Sequence, residues 1–181
     1  ITNEDVYNAI ASHTNLPINK INTSEKHAIS SIDKILNSMI IGQENAIKEV
    51  SQAIKRSKVG LSPQNKPIAS FLCIGKTGVG KTLMAKILAK EIFGDEKYLV
   101  RFDMSEYADK TSVNKLIGSS AGYVGYQEGG LLTEAVKNKK HCVLLIDEIE
   151  KADEQVYNIF LQILDDGFLT DNTGNKVDFT N

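Results

Sequence analysis

Residues 69–82 read ASFLCIGKTGVGKT, an apolar run followed at once by a glycine-rich turn. The apolar part, ASFLCI, predicts a short strand buried on both faces, as in a parallel sheet. The turn fits the pattern GxxxxGK[ST] through Gly75, Gly80, Lys81 and Thr82, and the residues after it predict a helix. A strand, a glycine-rich turn and a helix in this order indicate a loop that cradles phosphate groups.

Each part of this loop has a chemical reason. Glycines let the chain curl so that backbone N–H groups point at phosphate oxygens, and the following helix adds its positive N-terminal end. Lys81 can reach the β- and γ-phosphates, and the Thr82 hydroxyl can ligate Mg²⁺. The alternative is a corner that merely needs small residues. We predict nucleotide contacts from the loop and the first helical turn: Thr77, Gly78, Val79, Gly80, Lys81, Thr82 and Leu83.

A second apolar run, VLLIDE at 143–148, ends in two acids. Asp147 is predicted to hold Mg²⁺, and Glu148 to act as the catalytic residue that orients and deprotonates an attacking water. Alone, an apolar run ending in Asp-Glu is as often a solvated strand end as a site. The guanine-reading motif NKxD is absent, and two arginines, Arg56 and Arg101, cannot form the lid of an adenylate-type kinase. The sequence therefore favours hydrolysis of ATP with Mg²⁺.

Apolar runs at 69–74, 98–103 and 142–147 predict strands, and helical patterns separate them. Strands that alternate with helices indicate an α/β fold with right-handed crossovers and a parallel sheet. After a predicted helix at 153–164, the run FLTDNTGNKVDF (168–179) predicts two short strands around a Thr-Gly turn.

The chain before residue 69 carries helical patterns only. We predict a helical front-piece over residues 1–38, followed by the α/β ATPase domain over 39–181, which begins with a helix from Gln43 to about Gly60.

Composition excludes several classes of protein. The 181 residues are 41% hydrophobic with a net charge of −2, which gives no reason to expect nucleic acid or an anionic membrane as the partner. No apolar run is long enough to span a bilayer, and the start of the chain, which is not Met, lacks a signal-peptide pattern. The two cysteines, Cys73 and Cys142, are expected to be reduced core residues.

Longer stretches resemble a known family. The segments RFDMSEY (101–107), LIGSSAGYVGYQEGGLLTEAV (116–136), LLIDEIEKA (144–152) and LQILDDGFLTDNTGNKVDFTN (161–181) are similar to the second ATPase module of Clp-type AAA+ unfoldases, of the ClpB and ClpC type. The resemblance implies a P-loop NTPase core of three layers with a mostly parallel sheet. It also implies a chaperone that forms rings, with a homo-hexameric parent, unfolded or misfolded protein as substrate, and a possible protease partner.

The resemblance assigns two further sites. Gly122-Tyr123-Val124-Gly125 resembles the pore loop of the family, in which Tyr123 would grip the substrate with Val124 beside it. A flat aromatic ring can press on many sequences without specific hydrogen bonds, although an aromatic residue that packs a hairpin is the alternative. Ile40 and Ile41 resemble the segment that holds adenine, and they could equally be a helix start packed on the core.

The resemblance also reveals differences. Lys76 stands where the family usually has proline, which adds a charge near the phosphates. The family's sensor strand, arginine finger and helical lid would follow Asn181, so we expect this chain alone to hydrolyse ATP poorly. The alternative function is a nucleotide-binding interaction fragment. The many Lys, Ile and Asn residues resemble the product of an AT-rich genome, such as that of a plastid or a parasite. We expect an intracellular location, in the cytoplasm or the stroma of a plastid (apicoplast or chloroplast).

Overall fold

A computed structural model describes residues 31–58, 60, 63, 65–76, 78–119 and 129–181. These residues belong to two compact units. The first unit contains the described residues up to position 62 together with 68–99 and 141–143, and the second contains 63–67, 100–140 and 144–181. The helices predicted before residue 31 lie outside the described residues.

Three helices form the core of the first unit: α1 (Ile32–Met39), α2 (Glu44–Lys58) and α3 (Lys81–Phe93). In α2, the side chains of Ile47, Val50 and Ile54 recur at helical spacing and are buried. They join a cluster made by all three helices, which consists of Ile32, Leu36, Ile40, Ile47, Val50, Ile54, Met84, Ile87 and Leu88. This core places the start of α3, and with it the glycine-rich loop, beside the end of α1.

A glycine cap ends α3. Gly94 has φ 88°, and its N–H donates to the carbonyl of Lys90 at 2.8 Å. This left-handed residue ends the helix without the steric cost of a Cβ. A short 3₁₀ turn, Glu96–Tyr98, follows, and the ring of Phe93 lies against those of Tyr98 and His141.

The strand predicted at 69–74 is wrong. Residues 69–76 have no regular secondary structure, and the side chains of Phe71, Leu72 and Ile74 are exposed. A strand needs a neighbour to bond with its backbone, and the described residues supply none for this segment. Cys73 is exposed rather than in the core, whereas Cys142 is half-buried. Neither Cys73 nor Cys142 forms a disulfide with a described residue.

The second unit contains two small sheets. Strand β1 (Leu99–Asp103) pairs with β2 (Val143–Asp147), and the first residue of each strand belongs to the first unit. Strands β3 (Phe168–Thr170) and β4 (Lys176–Asp178) form an antiparallel hairpin with Leu169 opposite Val177. The predicted hairpin and the strands at 98–103 and 142–147 are therefore confirmed.

The described residues of the second unit form three helices: α4 (Val113–Ile117), α5 (Leu131–Asn138) and α6 (Glu154–Asp166). The Asp153 carboxylate caps α6 by accepting from the N–H of Gln155 at 2.9 Å, and Gly167 closes it at φ 72°. Short 3₁₀ turns at Met104–Tyr107, Lys110–Ser112 and Ile149–Lys151 complete the unit. None of the helices in the described part of the chain has the length and apolar character needed to cross a membrane.

Candidate nucleotide site

The glycine-rich loop of the first unit adopts a conformation that requires its glycines. Gly78 and Gly80 have φ values of 84° and 104°, in the left-handed region that favours glycine. A Cβ added to Gly75 would lie 3.2 Å from Cγ2 of Val79, which is tight packing within the loop itself. Gly80 also stands directly before α3, so the loop ends at the N–H groups of a helix N-terminus.

Lys81 lies folded across this loop. Its Nζ donates to the carbonyl of Gly75 at 2.7 Å and to that of Lys76 at 3.0 Å. An ammonium group has three N–H donors, so these contacts use two of them. Thr82 follows as the second residue of α3 and is half-buried. The loop thus presents a cation, a hydroxyl and helix N–H groups in one place.

The end of α1 lies next to the loop. Ile40 is 5% exposed, and its Cγ2 is 3.8 Å from the position of a Cβ on Gly80. Its neighbour Ile41 is 93% exposed. The structure therefore brings Ile40 and the phosphate loop together, while Val79 and Leu83 also keep partly exposed apolar side chains. Thr77 lies outside the described residues.

In the second unit, Asp147 ends β2 and has a partner that the sequence analysis missed. Nη2 of Arg101, on β1, donates to Oδ2 of Asp147 at 2.8 Å. Asp147 is 23% exposed, so this charge-assisted bond is partly shielded from water. A charged residue inside the apolar run YLVRFD was the signal for such a partner, because charges in strands next to a core are usually paired.

Glu148 has an unusual backbone. Its φ of 52° and ψ of 43° are left-handed, and it is the one non-glycine residue with positive φ in the part of the chain that the structure describes. Such a conformation costs of order 1–3 kcal/mol and is found preferentially at functional sites. The carboxylate of Glu148 contacts Nζ of Lys151, three residues on, and this hydrogen bond raises the pKa of Lys151. Lys151 is the second partner that the sequence analysis missed.

A third carboxylate belongs to this group. Oδ1 of Asp103 accepts from the N–H of Ser105 at 3.0 Å and from its hydroxyl at 2.6 Å. These bonds, with the charges of Arg101 and Lys151, lower the pKa of Asp103. The ends of β1 and β2 therefore both carry charged groups. At the end of β1, Arg101, Phe102, Asp103, Glu106 and Tyr107 line an open cleft.

No cluster of three or more His, Cys, Asp or Glu side chains suited to a metal ion occurs among the described residues. Mg²⁺ in nucleotide sites is usually held by one or two protein oxygens together with phosphates and water. The hard oxygen donors of Thr82 and Asp147 fit that chemistry. The predicted pore-loop residues Tyr123 and Val124 lie outside the described residues.

A family model described as AAA domain (Cdc48 subfamily) matches residues 66–181. The chain belongs to the AAA domain family. This AAA match covers the glycine-rich loop, Asp147 at the end of β2, Glu148 after it, and the hairpin. It confirms the predicted α/β class and the P-loop NTPase fold. Together with the relatives described next, it confirms the resemblance to a Clp AAA+ module.

Curated proteins similar to this AAA chain are named as Clp chaperones and regulators. It is 50% identical over 181 residues to the chaperone protein ClpB of Gloeobacter violaceus and 49% identical to the chloroplastic chaperone protein ClpC1 of Arabidopsis thaliana. It is 48% identical to the negative regulator of genetic competence ClpC/MecB of Bacillus subtilis. Each match covers 100% of this chain but only 20–22% of the relative. The chain thus spans about a fifth of the length of these relatives.

Proposed function

We propose that this chain is an ATP-binding and ATP-hydrolysing module of a ring-forming, Clp-type protein unfoldase. The observation that carries the proposal is the contact of Lys81 with the carbonyls of Gly75 and Lys76. This contact folds a mobile cation over a loop whose glycines are left-handed and whose end is a helix N-terminus. Such an arrangement suits the β- and γ-phosphates of a nucleotide.

The remaining nucleotide contacts are proposed for other groups of the first unit. The N–H groups of Gly78, Val79 and Gly80, with those of the first turn of α3, are proposed to bind the phosphates, and Thr77 belongs to the same loop. The adenine is proposed to lie against Ile40, Ile41 and Leu83. Support for this comes from Ile40, which packs at Gly80, and from the exposed side chain of Ile41 beside it.

Thr82 and Asp147 are the proposed protein ligands of Mg²⁺, which when bound neutralises charge on the phosphates. Glu148 is the proposed catalytic base. Its carboxylate, which contacts Lys151, would accept the proton of the attacking water. The left-handed backbone of Glu148 sets the direction in which its side chain leaves the chain. The acid pair then has separate tasks, because Asp147 is paired with Arg101 and Glu148 with Lys151.

The substrate and the assembly are proposed by analogy with the relatives. We propose that Tyr123 and Val124 grip unfolded or misfolded protein in the pore of a homo-hexamer, since similar proteins are named as chaperones. A protease partner is a further proposal, supported by the Guillardia theta relative named as an ATP-binding subunit of the Clp protease. The proposed location is intracellular, in the cytoplasm or a plastid stroma, as chloroplastic and bacterial relatives exist.

The test compares Lys81→Ala, Glu148→Gln and the matched control Glu150→Gln. Glu150 is an exposed acid two residues from Glu148. ATP affinity is measured by titration with a fluorescent ATP analogue, and turnover by phosphate release. Lys81→Ala is expected to weaken binding, whereas Glu148→Gln keeps binding and loses about 10²–10⁴-fold in turnover. Full turnover in Glu148→Gln would contradict the proposal.

The alternative function is a nucleotide-binding interaction fragment with little activity of its own. One observation favours it: the segment ahead of the loop, residues 71–74, is exposed and forms no strand within the described residues. A loop without a rigid strand behind it positions phosphates less sharply. In this case the chain binds the ATP analogue, but phosphate release is equally slow in the unmodified chain and in Glu148→Gln.

A further inference from the structure

The 3₁₀ turn that follows Glu148 receives a side-chain hydrogen bond from α6. The hydroxyl of Tyr157, in the first turn of α6, donates to the carbonyl of Ile149 at 2.8 Å. The two bonded residues lie eight positions apart in sequence. Because Ile149 comes directly after Glu148, this bond acts on the backbone next to the proposed catalytic base.

The backbone of Glu148 needs such support because its conformation is strained. A non-glycine residue keeps left-handed values such as φ 52° and ψ 43° only where the surrounding structure imposes them. On the N-terminal side, Asp147 is held in β2, which pairs with β1. On the C-terminal side, the carbonyl of Ile149 accepts from the Tyr157 hydroxyl and from the N–H of Ala152 at 3.1 Å. Glu148 therefore lies between two fixed neighbours.

The helix that carries Tyr157 is firmly anchored. Its apolar face is buried through Val156, Ile159 and Ile163. Just before the helix begins, the N–H of Asp153 donates to the carbonyl of Tyr107 at 3.0 Å, which ties this end of α6 to the turn after β1. A tyrosine side chain has only two rotatable χ angles, so little freedom remains between the anchored helix and the hydroxyl. The donor of the bond is therefore as well fixed as its acceptor.

We propose that Tyr157 is a positioning residue for ATP hydrolysis: its hydroxyl holds the carbonyl of Ile149 and so keeps Glu148 in its left-handed conformation. The inference rests on the proposed function, in which Glu148 is the catalytic base. A base transfers a proton only from within hydrogen-bond reach of the water, and a small misplacement lowers the rate. Loss of the Tyr157 hydroxyl should therefore slow hydrolysis and leave the affinity for ATP unchanged.

The experiment uses the full-length protein. Phosphate release gives kcat and KM for ATP in Tyr157→Phe, in Glu148→Gln, in the double variant and in the control Tyr98→Phe. Tyr157→Phe keeps the aromatic ring and removes only the hydroxyl that bonds Ile149. Tyr98 is the matched control because it is another partly exposed tyrosine, whose ring lies against Phe93 in the first unit. Thermal unfolding shows whether each variant is folded.

For Tyr157→Phe, kcat is expected to fall roughly two- to tenfold, the range that corresponds to one lost hydrogen bond. The KM for ATP should stay within about twofold of the parent value, because the binding of ATP does not use this bond. In the double variant the loss caused by Tyr157→Phe should disappear, since a residue that acts through Glu148 has no base left to position. Tyr98→Phe should behave as the parent protein does.

The outcomes separate the inference from the function beneath it. If Glu148→Gln loses turnover while Tyr157→Phe keeps the kcat of the parent protein, the positioning role is wrong and the proposed function stands. If Glu148→Gln keeps full turnover, the proposed catalytic base fails and the inference falls with it. An equal loss from Tyr157→Phe with and without Glu148→Gln, a parallel rise of KM, or unfolding of Tyr157→Phe would overturn the inference in favour of a purely structural residue.

Discussion

Arg101 on β1 and Asp147 at the end of β2 form an ion pair, with 2.8 Å between Nη2 and Oδ2. The pair joins two strands that are 46 positions apart at these residues. The side chain of Arg101 is half-exposed, whereas that of Asp147 is mostly shielded from water. The main effect of the hydrogen bond is therefore to orient the Asp147 carboxylate. If Asp147 holds Mg²⁺ as proposed, the same carboxylate serves an arginine and a metal ion, and the two cations influence each other.

Replacement of Arg101 by methionine should have two effects. The maximal rate of ATP hydrolysis is expected to fall roughly tenfold, because a hydrogen bond to a charged group is worth about 1.5–3 kcal/mol and its loss frees the carboxylate of Asp147. The Mg²⁺ concentration for half-maximal rate should fall as well, since a positive charge next to the proposed metal ligand is gone.

Steady-state hydrolysis over a range of Mg²⁺ concentrations measures both effects. The matched control is Arg56→Met, because Arg56 is the other arginine of the chain and its side chain is exposed on α2. An unchanged Mg²⁺ dependence in Arg101→Met would show that Arg101 does not act on the metal ligand.

Lys151 should influence turnover through Glu148. Lys151→Met removes the cation that contacts the Glu148 carboxylate, and we expect kcat to fall about three- to tenfold with the KM for ATP unchanged. Lys151→Arg keeps a cation at i+3 and should recover most of the rate. Phosphate-release kinetics give kcat and KM for both variants. Lys115→Met, on an exposed position of α4, is the control. A parallel rise of KM would point instead to a role in binding ATP.

Helix α2, the end of α3 and the β3–β4 hairpin could be predicted from the sequence, because the residues that determine each of them are neighbours in the chain. The periodic apolar residues of α2, the glycine after α3 and the Thr-Gly turn of the hairpin each act within a few positions. The strand at 69–74 was wrong for the complementary reason: an apolar run shows that a segment can pair, but the partner lies elsewhere in the chain.

The same limit applies to the site. The pattern GxxxxGK[ST] identifies the residues of the phosphate loop. It says nothing about the ion-pair partners of Asp147 and Asp171, which lie 46 and 34 residues away in sequence. No spacing rule connects Arg101 with Asp147 or Lys137 with Asp171. Lys151 was within reach of sequence reasoning, because i and i+3 side chains meet on a helical turn. Its neighbour Glu148 has a left-handed backbone that nothing in the sequence indicates.

Asp171 should make the stability of the hairpin depend on pH. Burial acts to raise its pKa, but hydrogen bonds from Lys137, Thr173 and Asn175 outweigh burial and lower the pKa well below the ordinary 3.8. A lowered folded-state pKa stabilises the fold at pH values above the ordinary one, and this stabilisation is lost as pH falls toward the folded-state pKa.

Asp171→Asn keeps the shape of the side chain and removes its charge, leaving Lys137 without this anion. We expect the free energy of unfolding at pH 7 to fall by about 1–3 kcal/mol. The difference from the parent chain should shrink below about pH 4, since the parent itself loses the contribution there. Urea unfolding at pH 7 and pH 3 measures this difference in the free energy of unfolding.

Asp165→Asn is the control: Asp165 forms an exposed pair with Lys66 at 3.4 Å, which is worth about 0–1 kcal/mol. A constant difference at both pH values would contradict the assignment.

Ile40 and Ile41 should separate stability from nucleotide affinity. Ile40 is buried in the core of the first unit, so Ile40→Ala is expected to cost about 2–5 kcal/mol of unfolding free energy through the cavity it leaves. Ile41 is 93% exposed, so Ile41→Ala should change stability by less than about 0.5 kcal/mol. If its side chain covers adenine as proposed, however, the Kd for ATP rises roughly tenfold because apolar contact with the base is lost.

Titration with ATP and with inorganic triphosphate makes the distinction. Ile41→Ala should weaken ATP alone, since triphosphate has no base to contact, whereas Lys81→Ala should weaken both ligands because it acts on the phosphates. Met39→Ala is the matched control, as Met39 is also an exposed apolar residue at the end of α1. Equal weakening of ATP and triphosphate by Ile41→Ala would place the effect on the phosphate loop, through the neighbouring Ile40, which lies close to Gly80, and not on the base.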